Sequence, residues 1–461
     1  MTLTSVTDDA LADDLRTRVS GTVAVPGDPD YQRIQPWNVA APVTPRAAVF
    51  VESAQDVAEV MRFAARHGLK VVVQSTGHGA LPVGQDAIMV HTGELTSCTV
   101  DALNRYARVG AGVRWQQVID AATPYGLAPL CGSSPGVGVV GFLTGGGIGP
   151  LVRSVGVSAD YIRAFELVTG SGEVLRVTPD EHSDLFWGLR GGKATLGIVT
   201  EVEFELLPIP QFYGGALYFD GADAAAVLHQ WRRWCADLPE SVTTSVALLQ
   251  LPEMPDVPPP LAGRLTVAVR YVALGDVEEA QRLLMPMREA ADPLIDAVSV
   301  MPYAAIAAVH ADPVDPMPTY EDHALLHDLP VEAVDALLAV AGPGSGSRQV
   351  IVEVRQLGGA FARAPRHRSA FCHRDAAFTL TTIGAPAPEI AEAVVAHADT
   401  VIAAAGQWST GGQLPNFAPA SDAARLARCY DEDTLYQLAA LGERYDPAGV
   451  LRTGQVARYP L

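Results

Sequence analysis

The sequence predicts an α+β fold in two domains, and three observations carry that reading. The chain has 461 residues, beyond the size at which a single hydrophobic core stops growing. Apolar residues make up 49% of it and charged residues 18%, a balance that builds packed cores rather than disordered chain. Its texture changes at the Pro-containing LPIP of 207–210: short strands and glycine-dense loops precede it, and longer strand-like runs alternating with amphipathic helices follow it. This gives a first domain over 1–210 with its core from about 42, a second over 211–410, and a C-terminal segment, 411–461, that returns to the first.

The elements follow in order. Residues 47–51 (AAVFV) read as a buried strand. Ser53, with Asp56 three residues on, signals a helix start. Val57, Val60, Met61 and Ala64 share one helical face, and Gly68 is a natural stop. A strand over 70–73 completes a βαβ-like unit and delivers the chain into the loop 74–79. A strand near 106, the turn Gly110–Gly112 and a helix from about Arg114 come next, then the glycine-dense 132–149. Strands 165–169 and 174–177 form a hairpin about Gly170–Gly172, and 197–206 alternates as a half-buried strand. In the second domain, strands are expected at 214–219, 243–250, 264–272, 348–356 and 376–383, and helices at 222–236, 275–290 and 387–405. The stretch 421–445 reads as one Ala/Leu-rich helix ending at Asp446-Pro447.

Composition excludes several functions. With 32 Lys and Arg against 52 Asp and Glu, the formal charge is −20, which repels nucleic acid and anionic lipid. The first residues, MTLTSVTDDALADDLR, have neither a basic region nor an apolar one, so no secretory signal is read there. No apolar run approaches the roughly 20 residues that span a bilayer. Five scattered cysteines suit a reducing cytoplasm rather than a disulfide framework. His323 and His327 are spaced to share a helix face, but EDHALLHDLP offers no third ligand, so no metal is expected. Oligomeric state is left open.

The chemistry lies in the glycine loops. Gly136–Gly141 (GVGVVG) matches the nicotinamide-dinucleotide fingerprint, which needs a strand before it and a helix opening within it. Here CGSSP precedes it and four more glycines follow by Gly149. Each interior glycine costs a helix about 1 kcal/mol, so no helix is expected to begin there. Backbone without Cβ atoms can instead lie directly against a planar ring or a pyrophosphate. Two such loops, 76–79 and 136–149, suit one extended dinucleotide between them.

These residues resemble a family. The loop Ser75–Gly79 (STGHG), the turn Val109–Val113 (VGAGV), the segment Ser134–Gly149 (SPGVGVVGFLTGGGIG), Asp184–Gly192 (DLFWGLRGG), Gly197–Thr200 (GIVT), Asn416-Phe417 and Tyr445–Pro447 occur in one order over about 45–460. Together they are similar to the FAD-linked oxidases of the vanillyl-alcohol-oxidase (PCMH-type) superfamily, berberine-bridge-enzyme-like branch. The register resembles the singly tethered 6-hydroxy-D-nicotine oxidase type. The resemblance implies a PCMH-type FAD-binding domain of two subdomains and a substrate domain whose antiparallel sheet, backed by helices, roofs the flavin. It implies that His78 bonds covalently to the flavin 8α-methyl group. It implies that Ser75, Thr76, Gly77, Gly79, Ser134, Gly138, Val139, Gly141, Thr144, Gly145, Gly146, Gly149, Val199 and Asn416 bind FAD. A second tether, from a cysteine to the ring, would need Cys131, but the gap-free register puts that position on Ser134, so one tether is favoured.

The chain departs from the family at three places. Gln74 stands where many relatives carry Arg. Lys193–Gly197 (KATLG) replaces Gly-Gly-Asn-Phe-Gly, and Lys193 reads as an ordinary exposed lysine rather than as a replacement for the charge lost at Gln74. Leu414 occupies the usual Tyr position, so the proton acceptor must be sought elsewhere. On strand 348–356, Ile351, Glu353 and Arg355 share one face by the two-residue period. A carboxylate there can accept a hydroxyl or amine proton, against a plain structural ion pair. His373 and Arg374, then His91, are the next candidates, and Asn416 joins the catalytic set. The expected function is an FAD-dependent oxidoreductase, an oxidase taking hydride from a small organic substrate (alcohol, amine or natural-product intermediate), with oxygen reoxidising the flavin. The alternatives are a flavin-dependent cyclase or non-oxidative flavoprotein, and an NAD(P)-dependent dehydrogenase.

Overall fold

The computed structural model describes residues 8–255, 257–417, 423–452 and 455–458. Its strands form three sheets. The first has four strands in the order Thr22–Ala24, Ala47–Phe50, Ala87–His91, Lys70–Gln74. Both Ala47–Phe50 and Lys70–Gln74 run parallel to Ala87–His91 between them. The helix Ala54–His67 makes this crossover. Ser53 Oγ accepts the amide of Asp56 at its start, and Gly68 takes the left-handed conformation at its end. Its apolar face, with Val57, Val60 and Met61, packs against Val49, Val71 and Val90.

The second sheet is antiparallel, in the order Cys98–Asp101, Tyr106–Gly110, Ile198–Glu205, Ile162–Val168, Val174–Val177. Trp115, Phe142, Phe165, Phe186 and Phe204 fill the core beside it. Phe142 and Phe204 both meet Trp115 edge-on at 5.5 Å, the geometry aromatic quadrupoles favour.

The third sheet runs Ile295–Asp296, Gln211–Asp220, Leu265–Ala273, Val242–Gln250, Ile351–Gln356, Phe378–Gly384, Tyr320–Leu326, with Ser299–Pro302 also on Gln211–Asp220. Its pairs are antiparallel. Side-chain alternation decides its two faces. Leu217, Val269, Val246, Val354 and Leu380 point to the helices Ala224–Cys235 and Val331–Ala341 and form one apolar core. The register brings a second set onto the opposite face, where Tyr218, Ala268, Ala247, Glu353, Thr381 and His323 lie in one row across six strands. That set lies on the face turned away from those two helices; His310, at the end of the turn of helix Tyr303–Val309, reaches Glu353 on it, and it is the face that carries the polar candidates.

Three expectations change. A helix does open within the glycine segment, at Val139–Thr144, capped by Gly138. It lasts six residues because Gly145 to Gly147 follow, two of them at positive φ. His323 belongs to the strand Tyr320–Leu326 and not to a helix. Its ring faces Thr381 Oγ1 at 3.3 Å, and the extended chain, rising about 3.3 Å per residue where a helix rises about 1.5 Å, carries it away from His327. No group of metal-ligating side chains assembles among the described residues. The C-terminal helix is two helices, Ala423–Arg428 and Glu432–Tyr445, because Asp431 caps a fresh start by accepting the amide of Thr434. Beyond them the fully buried Asp446 accepts the amides of Val450 and Leu451 and the guanidinium of Arg458. Val450 then accepts the amide of Val71, which docks the C-terminal residues on the first sheet.

Candidate active site

Two backbone loops meet beside His78. The strand Lys70–Gln74 ends in the loop Ser75–Gly79, where Gly77 has φ +74°. A Cβ on Gly77 would stand 2.5 Å from Pro36, so glycine is required for the strap 36–38 to lie across the loop. That strap donates from Trp37 N to Thr76 O and from Asn38 N to Gly77 O. Trp37 stacks on the His78 ring at 4.6 Å and 10°. His78 Nδ1 lies 2.8 Å from Thr76 Oγ1. Burial, then the charge of Arg114, push the imidazole down to about 4. His78 is therefore neutral at physiological pH, with its ring held at both face and edge.

The second loop is fixed by backbone. Trp115 N donates to Val137 O, Gln116 N to Pro135 O, and Val139 N to Val113 O. These bonds bring Gly138 against the first loop, where a Cβ would lie 3.2 Å from Ser75 Oγ. Ser75 Oγ is itself buried with no hydrogen-bond partner among the described residues. A buried hydroxyl without a partner is costly, and a glycine-walled seam beside it is what an extended, oxygen-rich dinucleotide fills. The residues present thus fit FAD.

Ser134 accepts the amide of Val137 through its carbonyl. Val139 and Thr144 are buried on the short helix, and Thr144 Oγ1 donates to Val140 O. Gly141 faces open space; Gly146 is pressed on the Phe371 ring, and Gly149 on the Cys131 carbonyl. Val199 is buried on the central strand of the second sheet. Gly79 is exposed at the loop's end.

Lys193 corrects its sequence reading. It is half-buried, at φ +53°. Its ammonium donates to Gly141 O at 3.1 Å and to Asn416 Oδ1. Asn416 Nδ2 donates to Phe142 O at 2.9 Å. Both ends of the Asn416 amide are thus engaged in holding the helix Val139–Thr144, and Asn416 acts here as a positioning residue rather than a catalytic one. Gln74, in the place of the missing arginine, turns inward and donates to Ile34 O.

On the open face of the third sheet, Glu353 is the hub. Its Oε1 accepts from Ser245 Oγ and Arg270 Nη1, each at 2.6 Å, and its Oε2 from Arg355 Nη2 at 3.1 Å. His310 Nε2 lies 3.1 Å from Arg355 Nη2. An arginine can only donate, so His310 accepts and is neutral, as its burial and the charge of Arg270 also require. Burial opposes the charge on Glu353, but Arg355 and Arg270 outweigh it and hold the carboxyl well below the usual range. Glu353 is thus a fixed anion, a poor acceptor for a whole proton, and this corrects its reading as the base. A carboxylate has about four acceptor positions, and the three bonds leave one for a ligand's N–H or O–H.

One row outward on the same face, Glu321 stands in register with Ile383 and Ile351. Burial and the facing charge of Asp312 push it up to about 7. Two carboxyl groups on one face with proton affinities pushed apart are the arrangement that divides orienting from proton transfer.

The remaining candidates lie elsewhere. His373 donates from Nε2 to Arg428 O at 2.9 Å and packs on Gly412, tying the C-terminal segment down. Arg374 clasps Asp160 through both Nη atoms. His91 packs on Phe50 at 4.9 Å, in register with Gln74 at the end of the first sheet from which the loop Ser75–Gly79 leaves, and is pushed down to about 4 by burial and then Arg33. Cys131 has its thiol 3.4 Å from Tyr303 Oη and is pushed up to about 11 by burial. Trp37, Arg270, His310 and Glu321 were not found from sequence. Arg270 carried a signal, as one arginine amid the apolar run LTVAVRYVA.

Comparison with known proteins agrees with this geometry. Residues 45–178 match the model of the FAD binding domain. The chain is 27% identical to (R)-6-hydroxynicotine oxidase of Paenarthrobacter nicotinovorans, over 94% of this chain and 96% of that protein. It is 24% identical to the FAD-linked oxidoreductase YgaK of Bacillus subtilis, over 78% and 80%. The crystal structure of 6-hydroxy-D-nicotine oxidase from Arthrobacter nicotinovorans superposes with a TM-score of 0.82 at 25% identity, covering 95% of this chain and 98% of that one. The Physcomitrella patens BBE-like 1 enzyme shares the fold at a TM-score of 0.84 and 18% identity, over 97% and 98%. The chain is an FAD-dependent oxidoreductase with an FAD binding domain over 45–178, and along nearly its whole length it is similar to oxidases of the vanillyl-alcohol-oxidase superfamily, berberine-bridge-enzyme-like branch.

Proposed function

We propose that this protein is an oxidase that carries FAD covalently on His78 and removes hydride from a small organic substrate held under the open face of the third sheet. The observation that carries this reading is the His78 cradle. A neutral imidazole is a competent nucleophile, and the Trp37 stack and Thr76 bond fix its ring next to the unpaired Ser75 hydroxyl. FAD, when bound, supplies the hydride acceptor, and oxygen regenerates it. Residues 1–210 and the C-terminal segment would hold the cofactor, and 211–410 the substrate. Ser75, Thr76, Gly77, Gly138 and Val139 would line the dinucleotide, with Gly145 and Gly146 farther along the same seam.

The protein's own groups divide the remaining work. Glu353, kept anionic by Arg270 and Arg355, would accept a hydrogen bond from the substrate and orient it. Glu321, poised near neutrality, would take the proton released as hydride leaves. Supporting a small natural-product substrate is the likeness to (R)-6-hydroxynicotine oxidase along nearly the whole chain.

Acid precipitation of purified protein tests the tether. The wild-type pellet should stay yellow and the H78A pellet should be white, with flavin in the supernatant. A white wild-type pellet overturns the linkage. A panel of alcohols and amines that leaves the flavin oxidised under anaerobic conditions would instead favour a non-oxidative flavoprotein.

A further inference from the structure

Lys193 sits where a glycine would be unstrained. A non-glycine residue in the left-handed region costs on the order of 1 kcal/mol or more and persists where the surroundings hold it. Here they do. Lys193 N donates to Thr144 O at 3.1 Å, and its ammonium reaches back along the helix to Gly141 O. Asn416 joins the ammonium to Phe142 O. Three carbonyls at the end of Val139–Thr144 are thereby bound, where a helix leaves them without partners and where its dipole favours a cation. Gly145 completes the contact, since a Cβ there would lie 2.1 Å from Asn416 Oδ1 and 2.6 Å from Lys193 Cε.

Capping alone leaves the charge unexplained. The ammonium has two neutral acceptors and no carboxylate among the described residues. The charge that reaches it is that of Cys429, whose thiol burial pushes up to about 12 and which is therefore neutral. Arg428 and Arg425, the latter paired with Asp322, lie beside Cys429. From the turn below, Arg190 directs its guanidinium to the carbonyls of Phe186, His367 and Arg368. The helix Val139–Thr144 itself carries no titratable side chain. A half-buried cation with no anion carries an uncompensated desolvation cost.

We propose that Lys193 is a positioning residue that clamps the glycine-rich segment through Asn416 and supplies the positive charge that favours the electron-rich, reduced flavin. This inference rests on the reading that the segment lines FAD. Burial pushes the ammonium down to about 8, so the clamp is charged at neutral pH and weakens as pH rises through that value.

The test is the midpoint potential of the flavin in purified holoenzyme, titrated with dyes from pH 6.5 to 9.5, for wild type, K193M and K193R. Methionine keeps the apolar stem and removes the charge. K193M should lose at least a tenfold preference for the reduced state at pH 7, about 30 mV for a two-electron couple. It should also lack the change of slope near pH 8 expected of wild type, and K193R should restore the potential while moving that change beyond the range. A folded, flavin-loaded K193M with wild-type potential and slope overturns the proposal. A K193M that loses flavin is assessed through K193R, and a wild-type slope change retained in K193R overturns it equally. Wild type isolated without flavin would instead sink the FAD reading on which the inference stands.

Discussion

Replacing Glu353 by Gln tests whether the third sheet's open face is built round a fixed anion. Glutamine keeps the volume and one acceptor oxygen but removes the charge. Arg270 and Arg355 expose only 5% of each side chain, and Glu353 10%, so water screens the three charges little. Removing one member of such a buried group leaves uncompensated charge and costs about 3–5 kcal/mol. Here two guanidinium groups lose their shared carboxylate, which places the loss at the upper end. The acid dependence follows with its sign. Glu353 has a folded value well below its unfolded value of about 4.3. Its contribution is therefore complete above about pH 4.3 and lost as pH falls through the folded value. E353Q should unfold at markedly lower temperature or urea at pH 7, and the gap to wild type should narrow in acid. Calorimetry and urea denaturation across pH 3–8 read both effects. The double variant E353Q/R270Q should recover part of the loss, because the coupled charges are not additive. A stability at pH 7 within 1 kcal/mol of wild type, with flavin bound, would refute the view that this carboxylate is locked by its two arginines.

Three further outcomes are expected. E321Q should abolish the rise of turnover with pH that wild type shows through about pH 7, since a base works only when deprotonated; an unchanged pH–rate profile removes Glu321 from proton transfer. Gly149→Ala places a Cβ 2.0 Å from the Cys131 carbonyl and should destabilise by about 1–3 kcal/mol through forced backbone movement, whereas Gly141→Ala meets nothing within 4 Å and should leave thermal stability equal or higher; similar melting temperatures for the two variants contradict the packing described. Trp37→Ala uncovers His78, whose low value of about 4 comes first from burial. The imidazole should then charge at a higher pH, so covalent incorporation of FAD into apoprotein should fail below about pH 6 in W37A while wild type still incorporates it at pH 5.

What the sequence disclosed and what it hid follow from the range of the forces involved. The helix Ala54–His67 was legible because its cap, stripe and stop lie within fifteen residues or so of one another and act locally. The FAD fold was legible through glycines, each of which marks a close backbone approach whatever the partner. Tyr320–Leu326 was missed because EDHALL has no strand alternation of its own; its pairing with Phe378–Gly384 supplies the ladder, and tertiary context overrides weak propensity. Glu353 was found, but the choice between base and structural ion pair stayed open for a similar reason. Its neighbour Arg355 was visible two residues on, whereas Arg270, Ser245 and His310 come from strands and turns 43 to 108 residues away. One arginine beside a carboxylate still leaves a usable base; two, with a serine, do not. Lys193 shows the converse. Its charge was plain in the sequence, but only the fold brings the end of Val139–Thr144 and Asn416 to its ammonium. In both cases the residue type fixed which chemistry was possible, and partners distant along the chain decided which one the protein uses.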